Sequence, residues 1–379
     1  GDHRDLHSFP TRRSSDLIRT CDAESFELTC RSNMVAVVSD GTRVLGLGDI
    51  GAAAALPVME GKSLLFKKFG DVDCIPLVVD TKDADTLINT VKLLQKNFAG
   101  INLEDISSPK CYDIECELKK ICDIPVFHDD QHGTAIACLA AVIGALRFVK
   151  KDMKTAKFVV NGCGAAGSAI GRLLISMGAE NVTMVDRFGA LYEGIDANLD
   201  RIQSYLATVT NKEHKKGTLA DIAKGADVLI GVSAPNVFTK EIIASMADKA
   251  IVFALANPVP ETSYADAIEA GAAVAGTGRS DSPNQVNNVT VFPGVFRGAI
   301  DVRAKAITEE MKVAAVYAIS ELIDEKDLRA DYVVPDAFDP RVAPAVAAAV
   351  ARVAMETGIA RIKVDPEEVR ANTMKRVGR

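Results

Sequence analysis

A glycine-rich turn between an apolar strand and a helix constrains the fold of this chain more than any other feature. The β-branched run Phe158–Val160 leads into a turn with the spacing Gly-x-Gly-x-x-Gly, formed by Gly162, Cys163, Gly164, Ala165, Ala166 and Gly167. An apolar pattern of helical period follows, and then a second strand, Val182–Val185, which ends at Asp186. Strand, glycine turn, helix, strand and acid in this order indicate a β-α-β unit that binds a dinucleotide.

Each glycine of the turn has its own stereochemical role. Gly162 permits the tight turn, Gly164 lets backbone N–H groups approach a pyrophosphate, and Gly167 lets the helix close on its strand. The electropositive N-terminus of the helix then faces the phosphates. Asp186 can accept hydrogen bonds from the ribose hydroxyls, which favours NAD, whereas Arg187 could instead accept the 2′-phosphate of NADP. The alternative is a glycine-rich turn without a nucleotide, since the chain has 27 glycines, but the full order of elements favours the dinucleotide.

Composition narrows the class of protein. The 379 residues are enough for two domains, and 48% apolar with 25% charged residues is typical of a globular protein in water. The net charge of −7 argues against a nucleic-acid partner. No apolar run stands out as long enough to span a bilayer, so we expect no membrane partner. The eight cysteines lack Cys-x-x-Cys spacing, which predicts a reduced, cytoplasmic protein.

The N-terminal segment, residues 1–17, differs from the rest of the chain. It has no helical or strand period, and it resembles a translated sequencing-adapter read of the kind found at the broken ends of assembled genes. A natural disordered tail or a targeting peptide is the alternative, although Asp2, Asp5 and Asp16 argue against a transit peptide. We therefore expect this segment to be foreign and disordered.

Beyond Asn33, short apolar strands alternate with amphipathic helices, which predicts an α/β fold with mostly parallel, doubly wound sheets. Strands are expected at Val35–Val38, Val44–Leu47, Ile75–Val79, Ile101–Leu103, Val126–Phe127, Val228–Ile230, Ile251–Leu255 and Ala273–Ala275. Helices are expected at about 52–68, 84–98, 110–121, 132–150, 218–224, 239–246, 263–270, 293–325 and 340–357.

Two domains follow from this alternation. The polar stretch Lys150–Lys154 separates a first doubly wound domain, residues 18–150, from a Rossmann-type domain, residues 151–292. The tail, residues 293–379, is rich in alanine and helical in pattern. We expect its helices to pack back on the first domain.

Four carboxylates follow two predicted strands of the first domain. Glu104 and Asp105 end one strand, and Asp129 and Asp130 end the next. Ligands of open α/β sheets sit beyond the carboxyl ends of the strands, so we expect these acids to lie together. Such a cluster repels itself unless a metal cation or a lysine neutralises it. If a metal does so, oxygen ligands without thiolates favour Mg²⁺ or Mn²⁺ over zinc. The alternative is that Asp129 or Asp130 only caps the next helix.

Three basic residues could also belong to this acidic site: Lys62, His128 and His132. Lys62 interrupts an apolar helix, so its side chain either extends outward to solvent or points into the acidic cleft, where it could pair with Asp129 and act as a base. His128 and His132 have the spacing of zinc ligands on a helix, but no glutamate lies between them. We expect both histidines to pack or to support the site.

Taken together, these residues resemble the malic enzyme family in its short bacterial and archaeal form. The similarity runs from about Phe26 to Gly358. Its motifs, in chain order, are Val37–Thr42, Leu45–Gly51, Glu60–Lys62, Asn102–Asp105, Phe127–Thr134, Phe253–Pro258 and Asn284–Asn288. The resemblance implies oxidative decarboxylation of L-malate to pyruvate and CO₂ with reduction of NAD⁺ or NADP⁺, a divalent metal, and a homodimer.

The resemblance also implies a role for individual residues. It makes Glu104, Asp105 and Asp130 the metal ligands. It makes Lys62 the general base for the C2 hydroxyl of malate, with Asp129 as its partner. Asn288 would contact malate with Asn287 nearby, Asn257 would lie where nicotinamide and substrate meet, and Arg43 could hold a malate carboxylate.

One family residue is missing from the sequence. The family places a proton-donating tyrosine in a Tyr-Thr-Pro-Gly motif, and the count from Asn33 puts its position near His7, inside the segment expected to be foreign. The alternative function is therefore a truncated homologue that binds NAD(P) and metal without full turnover. A third candidate, another 2-hydroxy-acid oxidoreductase, explains the glycine turn but not the carboxylates.

Overall fold

Two largely parallel β-sheets organise the chain in the computed structural model, which describes the backbone of residues 10–378 and the side chains of residues 13–378. The first sheet has the order β2-β1-β3-β4, and every neighbouring pair is parallel. Its strands are β1 (Met34–Ser39), β2 (Asp73–Val78), β3 (Gly100–Leu103) and β4 (Val126–His128). The inner strands β1 and β3 are almost fully buried, as apolar runs in parallel sheets generally are.

Residues 10–149 of the described chain form six α-helices. They are α1 (Pro10–Thr20), α2 (Ser25–Leu28), α3 (Gly51–Gly70), α4 (Ala84–Leu94), α5 (Lys110–Ile121) and α6 (Asp129–Val149). The Asp83 side chain accepts a hydrogen bond from the Thr86 N–H and so caps α4. Helix α6 begins directly after β4 with no intervening loop, which places its first residues at the carboxyl edge of the sheet.

The second sheet has the order β10-β9-β8-β5-β6-β7, and only β7 is antiparallel to its neighbour. Its strands are β5 (Lys157–Asn161), β6 (Asn181–Asp186), β7 (Gly189–Ala190), β8 (Val228–Gly231), β9 (Ile251–Ala254) and β10 (Val274–Thr277). The helices between them are α7 (Ala165–Ser176), α8 (Arg201–Val209), α9 (Leu219–Ala223), α10 (Lys240–Ala244) and α11 (Tyr264–Glu269). This is the predicted Rossmann-type domain. Its exact boundary with the first domain stays a prediction.

The C-terminal segment returns to the first sheet, as the sequence predicted. Its helices are α12 (Phe292–Asp301), α13 (Glu309–Ser320), α14 (Val342–Glu356) and α15 (Pro366–Val377). Helix α12 packs against α3, and α13 packs against α6. The ring of Phe66 lies 4.5 Å from that of Phe292 and 5.2 Å from that of Phe296, measured between centroids. These aromatic contacts attach helix α12 of the C-terminal segment to helix α3 of the first domain.

Two glycines allow α12 and α14 to approach closely. A Cβ atom on Gly298 would lie 2.4 Å from the Ala347 carbonyl oxygen, and one on Gly294 would lie 2.7 Å from the Val346 Cβ. Real Cβ atoms do not tolerate such contacts with backbone. The two glycines, one helical turn apart, therefore set the distance between these helices.

The sequence predictions of local structure were wrong for two elements and missed several others. Val44–Leu47 is no strand, because Gly46 and Gly48 adopt positive φ and turn the chain so that Leu45 and Leu47 are exposed. The predicted helix 293–325 is interrupted after Asp301, where Arg303 is left-handed and Thr308 caps the next helix. Among the described residues, the sequence analysis did not predict β7, α1, α2, α8 and α15.

The N-terminal segment also differs from expectation in part. Pro10–Thr20 forms a helix, although residues 1–17 were expected to be disordered. Residues 1–9 lie outside the described part of the chain.

Helix α6 needs comment because of its composition. By length and hydropathy alone it could cross a membrane, contrary to the sequence prediction, but 83% of its most apolar window is buried inside the protein. A core helix has the same properties.

Because Gly298 faces a carbonyl oxygen, we expect Gly298→Ala to lower the free energy of unfolding by about 1–3 kcal/mol through overpacking. The matched control is Gly61→Ala in α3, where an added Cβ would contact nothing within 4 Å; helix propensity predicts a gain of about 0.5–1 kcal/mol. Urea denaturation of both variants measures the difference. Equal effects would show that the α12–α14 distance is not set by this glycine.

Candidate active site

Four carboxylates and one lysine meet at the carboxyl edge of the first sheet. Glu104 and Asp105 follow β3, and Asp129 and Asp130 form the first turn of α6. Lys62 reaches them from α3, and its side chain is 8% exposed. The positive end of the α6 dipole lies beside Asp129 and Asp130 and favours their negative charge. The structure therefore brings together the residues that the sequence predicted from separate motifs.

Lys62 points inward rather than to solvent. Its Nζ lies 2.5 Å from Asp129 Oδ2 and 3.0 Å from Glu104 Oε1. It also lies 4.0 Å from the centre of the Phe292 ring, a cation–π contact. A lysine that acts as a base needs a pKa lowered toward the working pH. Burial does act in that direction, but Asp129 and Glu104 outweigh it, so the pKa is raised and the side chain is an ammonium here.

The carboxylates repel one another in a buried setting. Burial, with the charges of Asp130 and Glu104, raises the pKa of Asp105 to about 8. Burial and the charge of Asp129 raise the pKa of Asp130 to about 6, although Lys62 and Arg43 oppose the shift. Burial also raises the pKa of Glu104 and of Asp129, against the effect of Lys62. One ammonium therefore does not neutralise the cluster.

Three of these acids are arranged to hold a cation. Glu104, Asp105 and Asp130 each offer a ligand atom, and the three atoms lie within 4.8 Å of one another. Asp105 adopts a left-handed φ of 54°, and its N–H donates to Asp130 Oδ2 at 2.7 Å. The Asn102 amide holds Glu104 Oε2 at 2.8 Å. Oxygen donors with surplus negative charge fit Mg²⁺ or Mn²⁺.

Asp129 is fixed between helices. Its Oδ2 accepts hydrogen bonds from Lys62 and from the Asn288 amide, both at 2.5 Å. A Cβ on Gly133 would lie 1.8 Å from Asp129 Oδ1, so only glycine leaves room for this carboxylate one turn along α6. Sterics therefore explain why position 133 is a glycine. Asp129 does not merely cap the helix.

The other predicted substrate residues differ in position. Asn287 uses its Oδ1 to accept the Val289 N–H at 2.9 Å, so it caps a short 3₁₀ helix instead of facing the cluster. Arg43 is exposed, and its backbone N–H donates to the Asp105 carbonyl at 3.0 Å. Its charge is near enough to lower the pKa of Asp130.

The glycine turn forms the predicted nucleotide cradle. Gly162 has a φ of 107°, and a Cβ there would lie 2.6 Å from the Val232 carbonyl oxygen. A Cβ on Gly167 would lie 1.8 Å from the Gly162 oxygen, whereas the space beside Gly164 is open. Ala165 and Ala166 begin α7. Each glycine thus occupies the stereochemical position expected for it.

A cleft of about 490 Å³ lies over this turn. Its lining comes from both halves of the chain and consists of Ser108, Pro109, Cys163, Gly164, Asp186, Arg187, Asn198, Leu199, Asp200 and Gln203. The Cys163 thiol itself points away, toward the Val185 oxygen at 3.7 Å. Ser108 and Pro109 belong to the loop that follows Asp105, so one loop of the first half of the chain contributes to both the carboxylate cluster and the cleft.

Asp186 is held in place at the far end of this cleft. Its Oδ1 accepts the Arg187 N–H at 2.7 Å, and its Oδ2 accepts the Gln203 amide at 2.7 Å. Asn257 lies exposed after β9, and its Nδ2 is 3.3 Å from the Leu255 oxygen. The structure therefore places Asn257 at the carboxyl edge of the second sheet and Asp186 at the other side of the glycine turn.

Sequence reasoning missed a buried polar network behind α6. His132 Nε2 lies 2.7 Å from Glu115 Oε1, and His132 Nδ1 lies 3.0 Å from Lys312 Nζ. Burial lowers the pKa of His132 to about 3, so the ring is neutral, and burial lowers that of Lys312 to about 8. Only the Asp-Asp-Gln-His spacing hinted at His132. Glu115 and Lys312 gave no signal, because their partners lie far away in sequence.

Known proteins resemble this chain in both fold and sequence. The family "Malic enzyme, N-terminal domain" matches residues 11–119, and "Malic enzyme, NAD binding domain" matches residues 131–355. The chain belongs to the malic enzyme family. It binds NAD or NADP, as the family's second domain does.

Three relatives show how far the similarity extends. The bifunctional malic/malolactic enzyme of Bacillus subtilis is 57% identical over 350 residues, which are 92% of this chain and 85% of that protein. The NAD-dependent malic enzyme of Geobacillus stearothermophilus is 50% identical over 89% of this chain and 70% of its own length. The crystal structure of malic enzyme from Pyrococcus horikoshii has a TM-score of 0.95 and 42% identity, and the match covers 100% of this chain and 90% of that one.

The raised pKa values predict a pH-dependent response to metal. Asp105 and Asp130 bind protons more tightly in the fold than in the unfolded chain, so they contribute stability at low pH that is lost as pH rises from about 4 to about 8. A divalent cation binds their ionised forms. We therefore expect Mn²⁺ to raise Tm more at about pH 8 than at about pH 6.

Scanning calorimetry with Mn²⁺ and with EDTA measures this difference. Glu117→Gln, at an exposed acid of α5 paired with Lys120, serves as the control and should leave the Mn²⁺ effect unchanged. A Mn²⁺ effect independent of pH would contradict the assignment of these carboxylates.

Proposed function

We propose that this chain catalyses the oxidative decarboxylation of L-malate to pyruvate and CO₂ with reduction of NAD(P)⁺. The observation that supports this most is the buried Lys62 among four carboxylates, in a chain that also forms a dinucleotide cleft. A general base, an oxygen-rich cation site and a cofactor groove are the parts that the reaction needs. A binding module has no use for a buried lysine paired with a proposed cation ligand.

The cation would be held by Glu104, Asp105 and Asp130. Their oxygens converge, and their mutual repulsion is relieved by a positive charge. Mg²⁺ or Mn²⁺ bound there supplies Lewis-acid polarisation of the substrate oxygens. Asp129 is left outside this set, because the ligand atoms that converge are those of the other three acids, while the Asp129 Oδ2 accepts from Lys62 and Asn288.

Lys62 exchanges a proton with the C2 hydroxyl of malate. In the present arrangement its pKa is raised by two carboxylates, so a neutral amine requires that one of these charges be compensated. Glu104 is both a proposed metal ligand and a partner of Lys62 at 3.0 Å. Neutralising the charge of Glu104 lowers the pKa of Lys62 toward the working pH, where a base is most effective.

The remaining residues orient the two reactants. Asp129 holds Lys62 at a fixed position, and Asn288 holds Asp129 in turn. We assign substrate contact to Asn288 and to Arg43, whose guanidinium is exposed near Asp130. Asn257, on the loop after β9, is assigned to the junction of nicotinamide and malate. NAD(P)⁺ held in the cleft over the glycine turn would supply the hydride acceptor for the oxidation at C2. A homodimer, from the family resemblance, and a cytoplasmic location, from the cysteine usage, complete the proposal.

The alternative of a homologue without full turnover depends on the missing tyrosine. Its expected position, near His7, lies outside the described residues. No feature of the described residues favours this alternative. An assay separates the two functions: a chain without the proton donor would still reduce oxaloacetate with NADH but would form pyruvate from malate slowly. Release of CO₂ separates both from another 2-hydroxy-acid oxidoreductase.

We expect Asp130→Asn to reduce Mn²⁺-dependent NADH and pyruvate formation from malate by about 10²-fold or more, because it removes a ligand charge. NADH binding, measured by fluorescence titration, should stay within about twofold, since the glycine turn lies on another sheet. Parallel loss of NADH binding would mean that Asp130 supports the fold and not the metal.

Cofactor preference gives a second test. The fixed carboxylate of Asp186 repels a 2′-phosphate, so we expect NAD⁺ to be preferred by about tenfold in kcat/KM, or roughly 1.4 kcal/mol. Steady-state kinetics with both cofactors measures the ratio, and Asp186→Asn should remove most of it. A preference for NADP⁺ in the unchanged protein would show that Arg187 dominates.

A further inference from the structure

Glu261 is a buried carboxylate with no role in the chemistry proposed so far. It lies after the loop that follows β9 and is 0% exposed. Its Oε1 accepts the Ser233 N–H at 2.7 Å and the Ser233 hydroxyl at 3.2 Å, and its Oε2 accepts the Ala256 N–H at 2.9 Å. One side chain therefore ties the loop after β8 to the loop after β9.

The contact extends to a third strand. The Asn161 amide at the end of β5 donates to the Ser233 Oγ at 2.7 Å. Because the Ser233 Oγ accepts a hydrogen bond from Asn161, its own hydroxyl hydrogen is donated to Glu261. The polarity of the chain of hydrogen bonds is thus fixed, with an amide donor at one end and a carboxylate acceptor at the other.

Space for Glu261 is built into the sheet. A Cβ on Gly231, the last residue of β8, would lie 2.4 Å from the carboxyl carbon of Glu261. The loop after β8 also packs against the nucleotide turn, since a Cβ on Gly162 would lie 2.6 Å from the Val232 carbonyl oxygen. The carboxylate therefore sits in a fitted position against β8, and the loop that follows β8 packs on the glycine turn.

The location of Glu261 determines which half of a dinucleotide it can affect. The strand order reverses between β5 and β8, and a dinucleotide lies across such a point. Asp186, at the end of β6, marks the adenosine side. The ends of β8 and β9, where Ser233 and Asn257 lie, are on the opposite side of the glycine turn and therefore face the nicotinamide half.

We propose that Glu261 is a positioning residue that holds the loops carrying Ser233 and Asn257 in the conformation that receives the nicotinamide ring. The proposal rests on the function proposed above only in that the groove binds NAD(P). A glutamine cannot replace this carboxylate. Its NH₂ group would face one of the two backbone N–H groups, and that donor would lose its acceptor.

The test compares two ligands, NADH and ADP-ribose, which lacks nicotinamide. For Glu261→Gln we expect Kd for NADH to rise about tenfold and Kd for ADP-ribose to stay within about twofold. The matched control is Glu269→Gln, at an exposed glutamate of α11 paired with Lys240 at 2.8 Å. Both Kd values of the control should equal those of the unchanged protein. Isothermal titration of the full chain gives all four comparisons.

A second variant covers the case in which Glu261→Gln does not fold. Ser233→Ala keeps the Ser233 backbone N–H but breaks the link from Asn161 to Glu261, and it should weaken NADH binding about threefold without affecting ADP-ribose. Unchanged NADH binding in either folded variant, or equal loss of both ligands, would overturn the proposal. Because these readouts need no turnover, a protein that binds NADH but does not oxidise malate would refute the proposed function and leave this test intact.

Discussion

The rest of the site depends on one buried ammonium among several carboxylates. Removing Lys62 and its partners from water costs more free energy than a surface ion pair would, and breaking such a pair leaves an uncompensated buried charge. These charged groups lie at the carboxyl ends of β3 and β4 and at the N-terminus of α6. Ligands bind at such strand ends, and the helix dipole stabilises negative charge there. The surplus of negative charge is what makes the same cluster receptive to a cation.

A buried polar network supports the first turn of α6, on which Asp129 and Asp130 lie. The network of Glu115, His132 and Lys312 joins α5, α6 and α13 directly under the turn that carries Asp129 and Asp130. Its ring nitrogens are both used, so the histidine is fixed in orientation and neutral. The first turn of α6 is thereby braced from two sides, and the C-terminal segment becomes part of the site although it contributes few residues to its surface.

Residues far apart in the sequence contribute to one site because the C-terminal helices pack on helices of the first domain. Helices α12 and α13 return to the first sheet, and they bring Phe292 to Lys62 and Lys312 to His132. The 3₁₀ turn before α12 brings Asn288 to Asp129. The Rossmann-type domain, inserted between these parts, is thus attached at both of its ends to the elements that hold the proposed substrate.

Sequence alone determined the features whose signal is local. Strand, glycine spacing and acid define the nucleotide turn, and the acids after β3 and β4 had to share one edge because parallel strands end together. The apolar pattern failed at Val44–Leu47, where Gly46 and Gly48 adopt positive φ and the predicted strand is a loop. The assembled fold decided which asparagine reaches Asp129: Asn288 donates to it, and Asn287 caps a 3₁₀ helix.

Only the tertiary structure decided that Lys62 points inward and stays charged, because its pKa depends on carboxylates 42 and 67 residues away. The same holds for Glu261, whose role appears only when three strand ends meet. A charge buried among distant partners is a property of the assembled fold, since no neighbour in the sequence supplies either its solvent exclusion or its counter-charge.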